Sequence, residues 1–196
     1  MSESRDPGDT RENILIESTR LFALKGFEAV GISEICRTCG ITKPSLYYYF
    51  AGKDALLLAV LQRALDAMAG HLGETLDYHG DISRDVRELF AALFAFAAYM
   101  PSEYRVLMAG MFTGSESSER RIGAELFDDL IQRFRAFFTA AADDHGNLRA
   151  KDSWLASSFL AQAMARIVFK SDGLSGADRA DKALTEITQS FLYGIF

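Results

Sequence analysis

The stretch TKPSLYYYFAGK, residues 42–53, sets hydroxyl groups on Thr42, Ser45, Tyr47, Tyr48 and Tyr49 between two ammonium groups, Lys43 and Lys53. A packed core has use for rings but none for so many hydroxyls and cations, which lose their water on burial. The chemistry on offer is recognition of a polyanion. Ammonium and hydroxyl donors suit phosphate oxygens, and flat ring faces can pack on a sugar or a thymine methyl. From Arg37 to Lys53 the chain carries three cations, Arg37, Lys43 and Lys53, and no Asp or Glu; the rest holds 18 of the 21 basic residues and all 27 acidic ones. With a formal net charge of −6 over 196 residues, the surface as a whole is no electrostatic glove for nucleic acid, so any such site must be local.

These side chains need a rigid element to aim them. Apolar residues recur at helical spacing through Arg11–Lys25, at Ile14, Leu15, Leu21, Phe22 and Leu24, and the pattern stops at Gly26, with Lys25 at the negative end of the helix dipole. A short second helix is expected from about Ile32 to Thr38, closed at Cys39 and by Gly40, which can take a left-handed conformation. A third follows, with Thr42 as N-cap and Pro44 in the first turn, where a missing amide hydrogen costs nothing. Two short helices joined by a glycine-containing turn form a helix-turn-helix, whose second helix enters the DNA major groove. Leu46 and Phe50, four residues apart, then face inward, which leaves Thr42, Lys43, Ser45, Tyr47, Tyr48 and Tyr49 outward. Lys53 opens the next helix, whose first amides also favour a phosphate. A plain aromatic interface patch is the competing reading of the tyrosines, but it does not require Lys43, Pro44 and Lys53 in those positions.

Residues 10–61, TRENILIESTRLFALKGFEAVGISEICRTCGITKPSLYYYFAGKDALLLAVL, resemble the amino-terminal domain of the TetR (tetracycline-repressor) family. Leu21, Phe22, the Gly26-Phe27 pair, Ile35, Gly40, Ile41, Leu46, Tyr47, Phe50, Lys53 and Leu56 fall in register, over about a quarter of the chain. The resemblance implies a DNA-binding homodimer, usually a repressor, whose divergent helical second domain holds a small molecule that alters affinity for operator DNA. Two positions depart from the family pattern. Val30 and Gly31 stand where a Thr or Ser usually precedes the second helix, so Ser33 and nearby backbone amides are the expected substitutes. Tyr49 stands where a histidine often precedes the phenylalanine. The expected DNA contacts are therefore Ser33, Thr42, Lys43, Pro44, Ser45, Tyr47, Tyr48, Tyr49 and Lys53.

Downstream, punctuation divides the chain into helices over 53–76, 82–100, 102–112, 118–142, 152–171 and 178–196. The expected fold is all-α, about nine helices: a disordered tail at 1–9, a helix-turn-helix DNA-binding domain at 10–55, and a helical ligand-binding and dimerisation domain at 56–196. The fifth helix carries LFAALFAFAAYM, apolar nearly all round and so expected at the centre of its domain. Its alanines leave room, and the neighbouring segments supply adaptable methionines and aromatics. An effector pocket is expected from Phe90, Phe94, Tyr104, Met108, Met111, Phe127, Ile131, Phe134 and Trp154, with polar anchors at Tyr99, Tyr104, Arg105 or Gln162; a filled core is the alternative for any one of them. Lacking charge, such a pocket suits a largely apolar or aromatic molecule. The last two helices repeat apolar residues at helical spacing, and a homodimer seam is expected from Phe159, Ala163, Ile167, Leu184, Ile187, Phe191 and Ile195, shared with the monomer's own core.

Other chemistries find less support. Cys36 and Cys39 form a C-x-x-C, but His71, His79 and His145 show no spacing that would complete a zinc site. Core packing is expected of both thiols, with a thiol-responsive regulator as the alternative. No glycine-rich phosphate loop, G-x-S-x-G or H-E-x-x-H occurs, so no catalytic constellation, metal or cofactor is expected; a helical protein-binding adaptor is the remaining alternative. The amino terminus shows no apolar stretch behind a basic start. The longest apolar run, Leu89–Met100, falls short of the about 20 residues that cross a bilayer. A cytoplasmic protein with no membrane partner is expected.

Overall fold

Helix formation begins at Pro7, earlier than the apolar spacing marks, because a proline at a helix start forfeits no hydrogen bond. In a computed structural model that describes residues 7–112, 114, 116–145, 154–169 and 177–195, the helices are α1 (Pro7–Lys25), α2 (Ile32–Cys39), α3 (Lys43–Tyr49), α4 (Lys53–Leu72), α5 (Ile82–Tyr99), α6 (Pro101–Phe112), α7 (Ser118–Ile122), α8 (Ala124–Asp144), α9 (Trp154–Phe169) and α10 (Ala177–Ile195). A 3₁₀ turn, Gly73–Leu76, follows α4. There is no strand among the described residues, as the absence of alternating β-branched runs predicts.

Among the described residues ten helices stand against the expected nine, because the segment over 118–142 is broken. α7 ends at Gly123, and a Cβ there would collide with the Phe127 ring and Leu61. Gly110 on α6 meets the same ring. Two glycines thus make the socket that takes Phe127, which is buried. Sequence spacing did not mark Gly123 as a break because apolar residues continue in helical register across it.

The chain divides into two compact units, Met1–Ala67 with Met100–Phe127, and Met68–Tyr99 with Asp128–Phe196; the division falls inside α4 and α8. In the first unit α1 packs on α2 and α6, α2 on α3, and α6 on α7. Its core holds Ile14, Phe22, Phe27, Val30, Ile35, Leu46, Phe50 and the inward face of α4. An ion-pair network ties three helices together: Arg63 on α4 donates to Glu12 on α1 at 2.8 Å and to Glu103 on α6 at 3.0 Å. Burial, the largest single influence, pushes the Arg63 guanidinium down, but its hydrogen bonds to the Glu12 and Glu103 carboxylates, with their charges, outweigh it and hold the group above its ordinary value.

In the second unit α5 packs against α9 and α10, and α9 against α10. Asp81 caps α5, its carboxylate accepting from the backbone of Ser83 and Arg84 at 3.1 Å each. The core is a phenylalanine cluster: Phe159 lies 4.2 Å from Phe90, 5.2 Å from Phe191, 5.6 Å from Phe138 and 5.7 Å from Phe134, between ring centroids. Full burial contributes roughly 2–3 kcal/mol per ring, and each pair about 0.5–1.5 kcal/mol beyond that. The expectation that α5 is buried all round needs correction. Leu89, Phe90, Leu93, Phe94 and Phe96 are buried, while Ala98 and Tyr99 are exposed, Tyr99 at 79%. The large residues of LFAALFAFAAYM mark one face and the alanines much of the other.

One helical segment, Lys53–Leu76, is long and apolar enough to cross a membrane by length and composition. Its Leu56, Leu57, Val60, Leu61, Ala64, Leu65, Met68 and Leu72 are buried within the protein, so that apolar length is already used on its interior.

Candidate nucleic-acid interface

α2 and α3 are set by three local devices. Gly40 takes the left-handed conformation at φ 67°, and its amide and that of Ile41 close the end of α2 on the carbonyls of Arg37 and Cys36. Thr42 is extended at φ −89°, and its Oγ1 accepts the Ser45 amide at 3.3 Å. Pro44 occupies the first turn of α3. Leu46 is fully buried and Phe50 nearly so, which pins this seven-residue helix by its inner face.

The outer face is then determined. Lys43, Pro44, Tyr47 and Tyr48 are exposed, Tyr48 at 79%, and Tyr49 is half-buried with its ring edge-on to Tyr48 at 4.9 Å. Among the described residues the hydroxyls of Tyr47, Tyr48 and Tyr49 make no hydrogen bond, and Lys43 makes no ion pair. Thr42 and Ser45 differ: their hydroxyls lie 3.0 Å apart and serve the cap. Ser33 is exposed on the first turn of α2. That helix has Gly31 as N-cap and no side-chain cap, and Val30 is buried, so the family's usual hydroxyl before α2 has no counterpart here.

Lys53 is engaged on the protein itself. Its Nζ sits 4.1 Å from the centroid of the Phe27 ring and donates to the Glu28 carbonyl at 3.4 Å, fastening the start of α4 to the turn between α1 and α2. A second fastening joins α1 to α2, where Lys25 donates to Glu34 at 2.6 Å. The hydrogen bond from Lys25 holds the Glu34 carboxyl below its ordinary value. A cation outside the acid-free window also reaches this region: the Arg11 guanidinium lies 5.3 Å from the centroid of the Phe50 ring. Asp9 and Glu12 flank it in the chain, so counting charge along the sequence conceals it.

Cys36 and Cys39 are free thiols buried on the inner side of α2. Burial, with Glu17 and Cys36 nearby, pushes the Cys39 thiol up to about 11, away from the thiolate that redox chemistry uses. Among the described residues no His, Cys, Asp and Glu come together as a metal site.

The expected pocket residues fall in both units. Tyr104, Met108, Met111 and Phe127 belong to the first, Phe90, Phe94, Ile131, Phe134 and Trp154 to the second. Phe90 and Phe134 are fully buried in the phenylalanine cluster, and Phe127 fills the Gly110 and Gly123 socket. Burial holds the Tyr104 hydroxyl at about 12. Met108, Met111 and Ile131 are half-buried; the side chain of Trp154 lies outside the described residues. Of the expected seam, Phe159, Ala163, Ile167, Ile187 and Phe191 are buried within the single chain, and Leu184 is half-buried. The side chain of Ile195 also lies outside the described residues.

Residues 14–60 match the family described as bacterial regulatory proteins, tetR family. Over those residues the chain is similar to the tetR family. Among tetR-family relatives, the transcriptional activator FasR of Mycolicibacterium smegmatis is 31% identical over 63% of this chain and 55% of its own length. The regulator EthR of Mycobacterium tuberculosis is 26% identical over 82% of this chain and 73% of its own. The chain thus spans little more than half the length of FasR. The crystal structure of AibR in complex with isovaleryl coenzyme A and operator DNA matches with a TM-score of 0.68 at 20% identity, covering 91% of this chain and 96% of AibR, a likeness of fold.

Proposed function

We propose that this chain is a tetR-family DNA-binding transcriptional regulator, acting as a homodimeric repressor released from operator DNA by a small, largely apolar or aromatic molecule. Residues 10–55 form the DNA-binding domain, and residues 56–196 carry the effector and dimer functions. One observation carries the DNA-binding reading: α3 is pinned inward by Leu46 and turns outward a face of Lys43, Tyr47, Tyr48 and Tyr49 without a carboxylate. Ammonium and phenolic donors position the helix on phosphates, and the rings add contacts to base edges and sugars. Thr42 and Ser45 hold the helix N-terminus through the cap, which fixes the direction in which α3 presents Lys43. Dimerisation follows from reach, since two recognition helices about 34 Å apart enter successive major grooves on one side of a duplex.

AibR, whose fold this chain shares and which was solved with both isovaleryl coenzyme A and operator DNA, supports a small-molecule effector as such. The apolar character proposed for it rests on the uncharged run over residues 89–100 instead, since coenzyme A is itself strongly anionic. The test is fluorescence anisotropy on a labelled duplex selected from a random pool. Wild type binds as a dimer; Lys43→Ala with Tyr48→Ala loses most of that affinity. Equal binding by wild type and double variant would overturn the interface. Isovaleryl coenzyme A serves as the first effector probe, alongside native mass spectrometry of the purified chain for a retained molecule. FasR is named an activator, so a promoter-reporter measurement sets the sign of regulation: rising output on deletion of the gene supports repression, and falling output overturns it.

A further inference from the structure

We infer that Arg11 is a further phosphate-contacting residue of the nucleic-acid face, held there by stacking on Phe50. The inference rests on the DNA-binding reading above and adds a residue from a different helix to it.

The folded chain sorts its cations. On α1, Arg20 is paired with Glu17 at 2.7 Å and Lys25 with Glu34 at 2.6 Å. On α4, Arg63 is shared between Glu12 and Glu103. These charges are neutralised by carboxylates. Arg11 makes no ion pair among the described residues, and its residue is exposed; its guanidinium is placed instead over an aromatic ring. Glu12, its neighbour in the chain, is drawn away to Arg63. Of the two acids that mask Arg11 in the sequence, Glu12 is therefore compensated elsewhere in the fold, and Asp9 remains exposed on the first turn of α1.

Placement gives the charge a role. Phe50 is the residue that ends α3, and α4 opens three residues later at Lys53. A guanidinium stacked on Phe50 thus stands at the carboxy-terminal end of the proposed recognition helix, while Lys43 stands at its amino-terminal end. Contact with the ring restricts the long side chain, and a guanidinium so placed has N–H donors that match the paired oxygens of a phosphate. The ring also lowers the entropic cost of ordering a long side chain, because the side chain is ordered before DNA arrives. With Lys53 engaged by Phe27 and the Glu28 carbonyl, Arg11 is the better placed of the two cations to meet a phosphate.

The experiment measures affinity for a random-sequence duplex by anisotropy between 50 and 200 mM salt, for wild type, Arg11→Met, Arg11→Gln and Arg11→Lys. Arg11→Met keeps the apolar contact with Phe50 and removes the charge; Arg11→Gln is a second neutral variant read the same way. Losing one phosphate contact lowers the slope of log affinity against log salt by about 0.9, so the advantage of wild type shrinks about threefold across that range. The expected result is this reduction in both neutral variants, with Arg11→Lys, which keeps the charge and loses the planar fork, falling between them and wild type, and thermal melting showing all four folded. A wild-type slope in a folded neutral variant overturns the inference and leaves the DNA-binding reading intact. A slope reduced in only one of the two neutral variants also overturns it, because the loss then follows side-chain shape rather than charge. Failure of wild type to bind any duplex overturns both.

Discussion

At the scale of single residues, two lysines of similar appearance have different work. Lys43 is exposed on the outer face of α3, and Lys53 rests on the Phe27 ring. Lys43→Ala should lower the salt slope of DNA binding by about 0.9 and leave folding stability within about 0.5 kcal/mol of wild type. Lys53→Ala should instead cost about 0.5–1 kcal/mol of stability in chemical denaturation, the value of a partly exposed cation over an aromatic ring, with a smaller change in slope. Reversed behaviour of the two variants would reassign their roles. The Lys25–Glu34 bond carries a pH signature. Because the Glu34 carboxyl is held below its ordinary value of 4.5, its ion pair stabilises the folded state fully above that pH and the contribution fades as pH falls through the lower folded-state value. The stability gap between wild type and Glu34→Gln, followed by denaturation at several pH values, should be present at neutral pH and close in acid; a gap independent of pH would show that Glu34 acts by packing.

At the scale of elements, the recognition helix depends on what precedes it. Gly40 has φ 67° with open space around its Cα, so Gly40→Ala is penalised by backbone conformation alone, about 1 kcal/mol. Thr42→Ala removes the cap on Ser45 and should cost about 1 kcal/mol, with Thr42→Ser largely restoring it. Both are read by thermal melting, and both should weaken DNA binding through the orientation of α3. Gly110 differs in kind, because an added methyl meets the buried ring of Phe127. Gly110→Ala should destabilise by about 1–3 kcal/mol through overpacking, and Phe127→Leu should relieve much of that in the double variant. Additive losses would mean that the socket does not confine the ring.

At the scale of the whole molecule, the proposed dimer must use surface that a single chain leaves open. Phe191 is 2% exposed within the chain, whereas Tyr193 on the same helix is 86% exposed. Tyr193→Asp should convert dimer to monomer in sedimentation while the melting transition persists, and Phe191→Asp should disrupt the second unit itself; a folded, dimeric Tyr193→Asp protein places the seam on another helix. By itself the sequence determined the all-α class, α2 and α3, the Thr42 cap, the Gly40 turn and the inward turn of Leu46 and Phe50. Those features are local: residues three or four apart share a helix face, and glycine and proline mark its ends wherever the rest of the chain lies. Only the tertiary structure decided that Lys53 engages Phe27, that Arg11 reaches Phe50 across 39 residues, that Gly123 interrupts an apolar register, and that Phe159 and Phe191 face the chain's own core. An apolar side chain records that it will be buried but not against which surface, and a cation does not record its partner, because both are chosen when several helices pack at once.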